Sequence, residues 1–194
     1  MRESTFISII VIIIYIFLIL NKRKMVYVRS PFTNQSYLVR DDNNKQNSAI
    51  LLSKLIKNIF TFRKHLIENK KNIDSKYGDY IDQLARNLND STKIYENDGS
   101  EGFTSYSVNK GEELVFCLKS KKSKKLHSLN LIMYVALHEL AHIACPETGH
   151  TQLFKDIFAM FTREAIKIGI YRNVDYSEDP VEYCGMILSS SILH

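Results

Sequence analysis

The sequence feature that most restricts the fold is an apolar segment that contains two histidines and a glutamate. Residues 131–144 are apolar at most positions, a pattern that predicts a helix buried on most of its sides. The run His138-Glu-Leu-Ala-His142 lies inside this segment. Burying imidazole and carboxylate groups without partners costs free energy. We therefore expect these side chains to face a shared site that compensates for their burial.

The spacing of these residues fits a metal site. Side chains four residues apart lie on one face of a helix, so His138 and His142 can bind the same ion. Glu139 is turned about 100° around the helix, toward the position of a water activated by that ion. This arrangement predicts a zinc hydrolase with Glu139 as its base. The alternative is a structural helix in which both histidines bond to backbone groups and Glu139 is exposed.

A catalytic zinc site needs a third protein ligand beside the open water position. We predict His150, because Pro146 and Gly149 end the helix and let the chain turn back toward the ion. The alternatives in this part of the chain are Cys145, Glu147 and Glu164.

The rest of the chain predicts one α+β domain over residues 25–194. Apolar periodicity predicts four helices, near residues 47–68, 80–88, 128–145 and 150–168. Their expected boundary residues are Asn47 or Ser48, Ser128 or Asn130, and Gly169. Two pairs of β-prone runs predict hairpins, over residues 26–40 and 103–118. Residues 89–102 are predicted to be a polar connection, and the pattern of residues 171–194 predicts no particular element.

Three cysteines, Cys117, Cys145 and Cys184, are irregularly spaced and form no Cys-x-x-Cys pair. We do not expect a disulfide framework from this pattern, which is compatible with a reducing compartment. Cys184 is predicted to be a small buried apolar residue.

Residues 6–20 form an almost uninterrupted apolar run that ends at Asn21-Lys-Arg-Lys24. We expect an uncleaved membrane anchor over residues 1–24, with a cleaved signal peptide or a buried core helix as alternatives. The basic flank predicts that the main domain is cytosolic. These 24 residues carry a net charge of +3, which leaves 22 basic and 20 acidic residues in the remainder. We therefore do not expect nucleic acid as a partner.

The run His138-Glu-Leu-Ala-His142, followed by Gly149-His150 and Phe154, resembles the WLM and SprT-like group of small zincin metalloproteases. The wider run from Thr104-Ser-Tyr-Ser-Val-Asn-Lys-Gly to Tyr183-Cys-Gly185 resembles the WLM-like proteins of large DNA viruses. This resemblance extends over about residues 26–190. It implies a zincin-like domain in which a small antiparallel sheet packs on the central metal-binding helix. It also implies zinc ligands at His138, His142 and His150, with Glu139 as the base.

We therefore expect a zinc metallopeptidase that cleaves a protein or peptide substrate near a membrane, either in a virion or at a host endomembrane. Glu139 would take a proton from the attacking water and pass it to the leaving amine. Tyr171, Tyr176 and Tyr183 are predicted first of all to be packed aromatic residues, with stabilisation of the oxyanion as the alternative role of each. The alternative functions are a noncatalytic zinc-stabilised interaction module and a DNA-associated protease of the SprT or WLM type.

Overall fold

The fold is α+β, as predicted. A computed structural model describes residues 12–13, 25–99 and 104–193. Within residues 25–193, the helices are α1 (Lys45–Glu68), α2 (Gly78–Asn87), α3 (Leu129–Ala144) and α4 (Gln152–Lys167). The strands are β1 (Met25–Arg29), β2 (Ser36–Arg40), β3 (Lys93–Glu96), β4 (Tyr106–Val108), β5 (Glu113–Phe116), β6 (Val181–Tyr183) and β7 (Met186–Leu188).

The strands form three small sheets. β1 pairs with β2 and β6 with β7 as antiparallel hairpins, while the third sheet has the order β3-β5-β4. β4 and β5 are antiparallel, which confirms the second predicted hairpin, but β3 runs parallel to β5. The predictions of a polar connection over residues 89–102 and of a purely antiparallel sheet were therefore wrong. The pairing of β3 is non-local, and its four residues carry no clear alternation that would predict a strand.

The helix α3 occupies the centre of the domain, as its apolar pattern predicted. It packs against α1, α2 and α4 and also contacts β4 and β5. Ser128 caps its N-terminus, since the side-chain oxygen accepts a hydrogen bond from the backbone of Leu131. The other predicted cap, Asn130, instead forms two hydrogen bonds with the backbone of Arg172.

The boundaries of α1 and α4 follow the predictions in part. The helix α1 begins at Lys45, so neither Asn47 nor Ser48 caps it, and Ser48 is fully buried within the helix. The helix α4 begins after Thr151, whose side chain accepts a hydrogen bond from the backbone of Phe154. This cap fixes the start of α4 immediately after His150.

A disulfide joins Cys117, just after β5, to Cys184 in the turn between β6 and β7. The prediction that the cysteines form no disulfide framework was wrong for this pair, and so was the prediction that Cys184 is only a buried apolar residue. The two cysteines are 67 residues apart, and the tertiary fold alone brings their Cα atoms to 6.1 Å. Cys145 remains a buried free thiol.

The predicted membrane anchor over residues 1–24 lies outside the described residues, apart from positions 12 and 13. No helix in the described part of the chain combines the length and apolar character needed to cross a bilayer.

Candidate metal centre

Three histidine side chains converge where α3 ends. His138 and His142 belong to the last two turns of α3, and His150 lies in the connection to α4. Their Nε2 atoms are separated by 3.1 Å (His138–His142), 3.3 Å (His142–His150) and 3.1 Å (His138–His150). Within the described residues, this is the one group of histidine, cysteine and acidic side chains that is close enough to share a metal ion. The three predicted ligands are therefore brought together.

The geometry of the three Nε2 atoms fits a bound cation. In a neutral imidazole, Nε2 either carries a proton or presents a lone pair. Among three such atoms, at least two must both carry a proton or both present a lone pair. At least one of the three short contacts therefore brings two protons, or two lone pairs, face to face. A cation that accepts all three lone pairs removes this conflict. Tetrahedral zinc matches the spacing, because Zn–N bonds of about 2.0–2.1 Å place two nitrogen ligands about 3.3 Å apart.

The aromatic ring of Phe154 contacts all three imidazoles. Its centroid lies 5.0 Å from that of His138, 4.1 Å from that of His142 and 4.9 Å from that of His150. Because Phe154 is buried in the first turn of α4, it fixes the orientations of rings that come from α3 and from the following connection. Phe154 is one of the residues on which the family resemblance is based, but the sequence did not indicate that it orients the three imidazole rings.

Burial keeps the two histidines of α3 in the neutral form that binds metals. Burial first, and then the neighbouring imidazoles of His142 and His150, together lower the pKa of His138 to about 3. The pKa of His142 falls to about 4, first through burial and then through the proximity of His150 and Lys110. Protons therefore compete weakly with a cation for these two ligands at neutral pH.

The carboxyl group of Glu139 lines the same pocket as the three histidines and is nearly buried, at 7% exposure. Burial raises the pKa of Glu139 to about 7, and hydrogen bonds from the backbone and side chain of Ser107 on β4 oppose that rise. A divalent cation at the histidines would lower this pKa by favouring the carboxylate. The sequence predicted the hairpin that carries Ser107 but did not indicate this contact.

Lys110 holds together the end of α3 and the connection that carries His150. Its Nζ donates hydrogen bonds to the carbonyl oxygens of His142 (3.0 Å), Cys145 (2.7 Å) and Glu147 (3.2 Å). Carbonyls at a helix C-terminus lack partners within the helix, so Lys110 acts as a C-terminal cap supplied by the β4–β5 turn. No local sequence signal marks this role, because the lysine is 32 residues from the first carbonyl that it binds.

We predict that Lys110→Met weakens zinc binding at least tenfold and lowers the free energy of unfolding by about 1–3 kcal/mol. The reason is that three carbonyls lose a charged donor and the connection before His150 is released. Competition titration with a zinc chelator and urea unfolding measure the two effects. Lys110→Arg, which keeps the charge and the donors, should restore most of both. Unchanged zinc affinity in Lys110→Met would show that the connection holds His150 without this cap.

The alternative ligands do not join the histidine cluster. The carboxylate of Glu164 lies 2.7 Å from His65 on α1 and 3.6 Å from Lys167. Glu147 lines the pocket as an exposed residue, and the buried thiol of Cys145 also lies outside the cluster.

Of the three predicted oxyanion candidates, Tyr183 is the one placed at the site. It lines a cavity of about 290 Å³ that also includes His138, Glu139 and His150. Its hydroxyl forms a 2.6 Å hydrogen bond with that of Ser105. The rings of Tyr171 and Tyr176 instead pack against that of Tyr134, with centroids 5.7 and 5.1 Å away.

Comparisons with known proteins identify viral relatives. The chain is 42% identical over 186 residues to "Uncharacterized protein R325" of Acanthamoeba polyphaga mimivirus, which covers 95% of this chain and 93% of the relative. It is 37% identical over 86 residues to "Uncharacterized protein 136R" of Invertebrate iridescent virus 6, covering 43% of this chain and 48% of the relative. No protein-family model and no solved structure matches the chain. The chain belongs to the viral protein family that includes R325 of Acanthamoeba polyphaga mimivirus.

Proposed function

We propose that the chain is a zinc-dependent metallopeptidase of the WLM and SprT-like zincin type. The observation that carries this proposal is the convergence of three histidine Nε2 atoms beside the nearly buried carboxyl group of Glu139. His138, His142 and His150 would hold the ion. Zinc, when bound, supplies a Lewis acid that polarises a carbonyl and makes a water easier to deprotonate.

Glu139 acts as the general base and then as the general acid. It takes the proton of the attacking water and delivers it to the leaving amine, a role that needs a pKa near the working pH. Ser107 orients the carboxyl group by bonding to it through its backbone and side chain. The hydroxyl of Tyr183, which lines a cavity shared with Glu139, is placed to stabilise negative charge on the substrate oxygen.

The shape of the site supports an extended peptide as the substrate. β4 lies at the edge of its sheet, with β5 on one side. Residues from β4 and its flanks line a pocket of about 560 Å³ together with the three histidines and Glu139. A peptide can add to such an edge through main-chain hydrogen bonds, which would place its backbone beside the metal ligands.

The number of ligands favours catalysis over a purely structural metal. Structural zinc sites generally have four protein ligands, whereas catalytic sites have three and keep one position open. Within the described residues, the cluster contains three ligand side chains, and the thiol of Cys145 is not one of them. This is the arrangement expected of a catalytic site.

Zinc removal and restoration test the proposal. We expect the purified full chain to bind one zinc per molecule and to cleave denatured casein. Cleavage should stop after treatment with 1,10-phenanthroline and return when zinc is added to the dialysed protein. A chain that binds one zinc but cleaves no protein or peptide offered would favour the noncatalytic zinc-stabilised module instead.

We also propose that this peptidase acts at a membrane, in a virion or at a host endomembrane. The apolar run over residues 6–20 and the basic residues after it support this proposal. Sodium carbonate extraction of infected or transfected cells tests it, since an anchored chain stays with the membrane pellet. Release of the intact chain into the supernatant would contradict it.

A further inference from the structure

A second cleft opens from the metal centre on the side of α4. It has a volume of about 720 Å³ and lies between α4 and residues 188–192, at and just after the end of β7. His138 and His150 are among the residues that line it. A substrate that crosses the histidines from the pocket beside β4 would therefore continue into this cleft.

The inner wall of the cleft is apolar. Tyr134 and Phe158 are both nearly buried there and pack against each other with ring centroids 5.1 Å apart. The wall also includes Leu188 and Ile192, and the backbone of Ile192 donates a hydrogen bond to the hydroxyl of Tyr134. Ala159 on α4 contributes a small side chain to the wall, which leaves room for a substrate side chain.

The exposed rim of the cleft carries two cations, Lys155 and Arg163. They lie eight residues apart, about two turns along α4, and both are exposed. Neither forms an ion pair with any described residue, whereas Lys167 on the same helix lies 3.6 Å from Glu164. Among the described residues that line the cleft, the one acidic residue is Asp156. Its carboxylate accepts a hydrogen bond from the side chain of Gln152.

The cation on the other side of the histidines is not available in the same way. Lys110 lines the pocket beside β4, but its ammonium group already donates to three carbonyl oxygens. Among the described residues that line these two pockets, the cations whose head groups are free to bind a substrate carboxylate therefore lie on the α4 side of the metal centre. A substrate that crosses the site would meet these cations on one side of the scissile bond.

We propose that this cleft binds the substrate chain on one side of the scissile bond, and that Lys155 and Arg163 select acidic side chains there. The proposal rests on the proposed peptidase function and specifies its substrate class as a peptide with an acidic segment next to the cleaved bond. Lys155 and Arg163 determine specificity and take no part in the bond cleavage.

Peptides that differ at one position test this specificity. Cleavage sites are first mapped in denatured casein with the zinc-loaded full chain. One cleaved sequence is then synthesised with Glu, Gln or Lys at each of the four positions on either side of the scissile bond. We expect Glu to be preferred over Lys on one side only, and the preference to weaken in 0.5 M salt as exposed charges are screened.

Charge reversal identifies the residues responsible. We expect Lys155→Glu and Arg163→Glu each to lower kcat/KM for the acidic peptide about tenfold, because a weak attraction is exchanged for a repulsion. The value of kcat/KM for the peptide with Gln at the same position should change far less. Lys155→Arg and Arg163→Lys should keep the preference. Lys71→Glu, which reverses an exposed charge that does not line the cleft, should leave the preference unaltered.

The outcomes separate this inference from the proposed function. If the zinc-loaded chain cleaves neither casein nor any peptide, the peptidase proposal fails and this inference fails with it. If the chain cleaves peptides without a charge preference, or keeps its preference in both Glu variants, only the specificity proposal is overturned.

Discussion

Glu139→Gln is expected to reduce kcat/KM for casein or a peptide by about a thousandfold while one zinc stays bound. General acid–base catalysis contributes roughly 10²–10⁴-fold to enzymatic rates, and glutamine can neither accept nor deliver the proton. The change is nearly isosteric, so a side chain with 7% exposure keeps its packing. Peptide cleavage assays and metal analysis of the same preparations measure the two quantities.

Two variants serve as controls for this loss of activity. Glu147→Gln makes the same chemical change at an exposed carboxylate of the same pocket and should alter kcat/KM by no more than about fivefold. His142→Ala should lose both zinc and cleavage, because it removes one of three ligands. Cleavage by Glu139→Gln at the rate of the unaltered chain would exclude Glu139 as the base. Loss of zinc from that variant would assign the carboxyl group to the metal site itself.

The central helix and the approach of the three histidines were predictable because their signals are local. His138 and His142 share a helix face through the four-residue repeat alone. His150 follows after a short connection, in which Gly149 adopts a φ of +80°, a backbone conformation that suits glycine. Because α3 is buried and ends at Ala144, the chain can place a residue eight positions after His142 in only a few locations near the end of the helix.

The contacts that hold the site in place were not predictable, because they come from segments that are distant in the sequence. Ser107 reaches Glu139 from β4, and Lys110 reaches the end of α3 from the next turn. Neither contact leaves a periodic pattern in the sequence, since each depends on how the hairpin is placed against the helix. The strand β3 was missed for the same reason, because it is defined by its parallel partner β5. Local patterns therefore predicted the approach of the three histidines, and tertiary packing determines how they are held.

Removing the disulfide between Cys117 and Cys184 is expected to lower the free energy of unfolding by about 4 kcal/mol. The bond closes a loop across a sequence separation of 67 residues, and restricting the unfolded chain over such a loop stabilises the folded state by about that amount. Cys117→Ser and Cys184→Ser should each show this loss in urea unfolding. The double variant should show no further large loss, because either substitution alone already breaks the bond.

Removing the disulfide should also affect the cavity beside the metal centre that Tyr183 and Glu139 line. The backbone of Cys117 donates a hydrogen bond to Ser105, whose hydroxyl bonds that of Tyr183, the residue before Cys184. Opening the bond releases the β6–β7 hairpin that presents Tyr183 to the cavity beside Glu139. We therefore expect reduced kcat/KM for peptides with zinc content unchanged. Reduction with tris(2-carboxyethyl)phosphine, which binds zinc far more weakly than a dithiol does, should reproduce both effects in the unaltered chain and have little effect on Cys117→Ser. Detection of three free thiols in the denatured, unreduced chain would contradict the disulfide, since Cys145 alone should react.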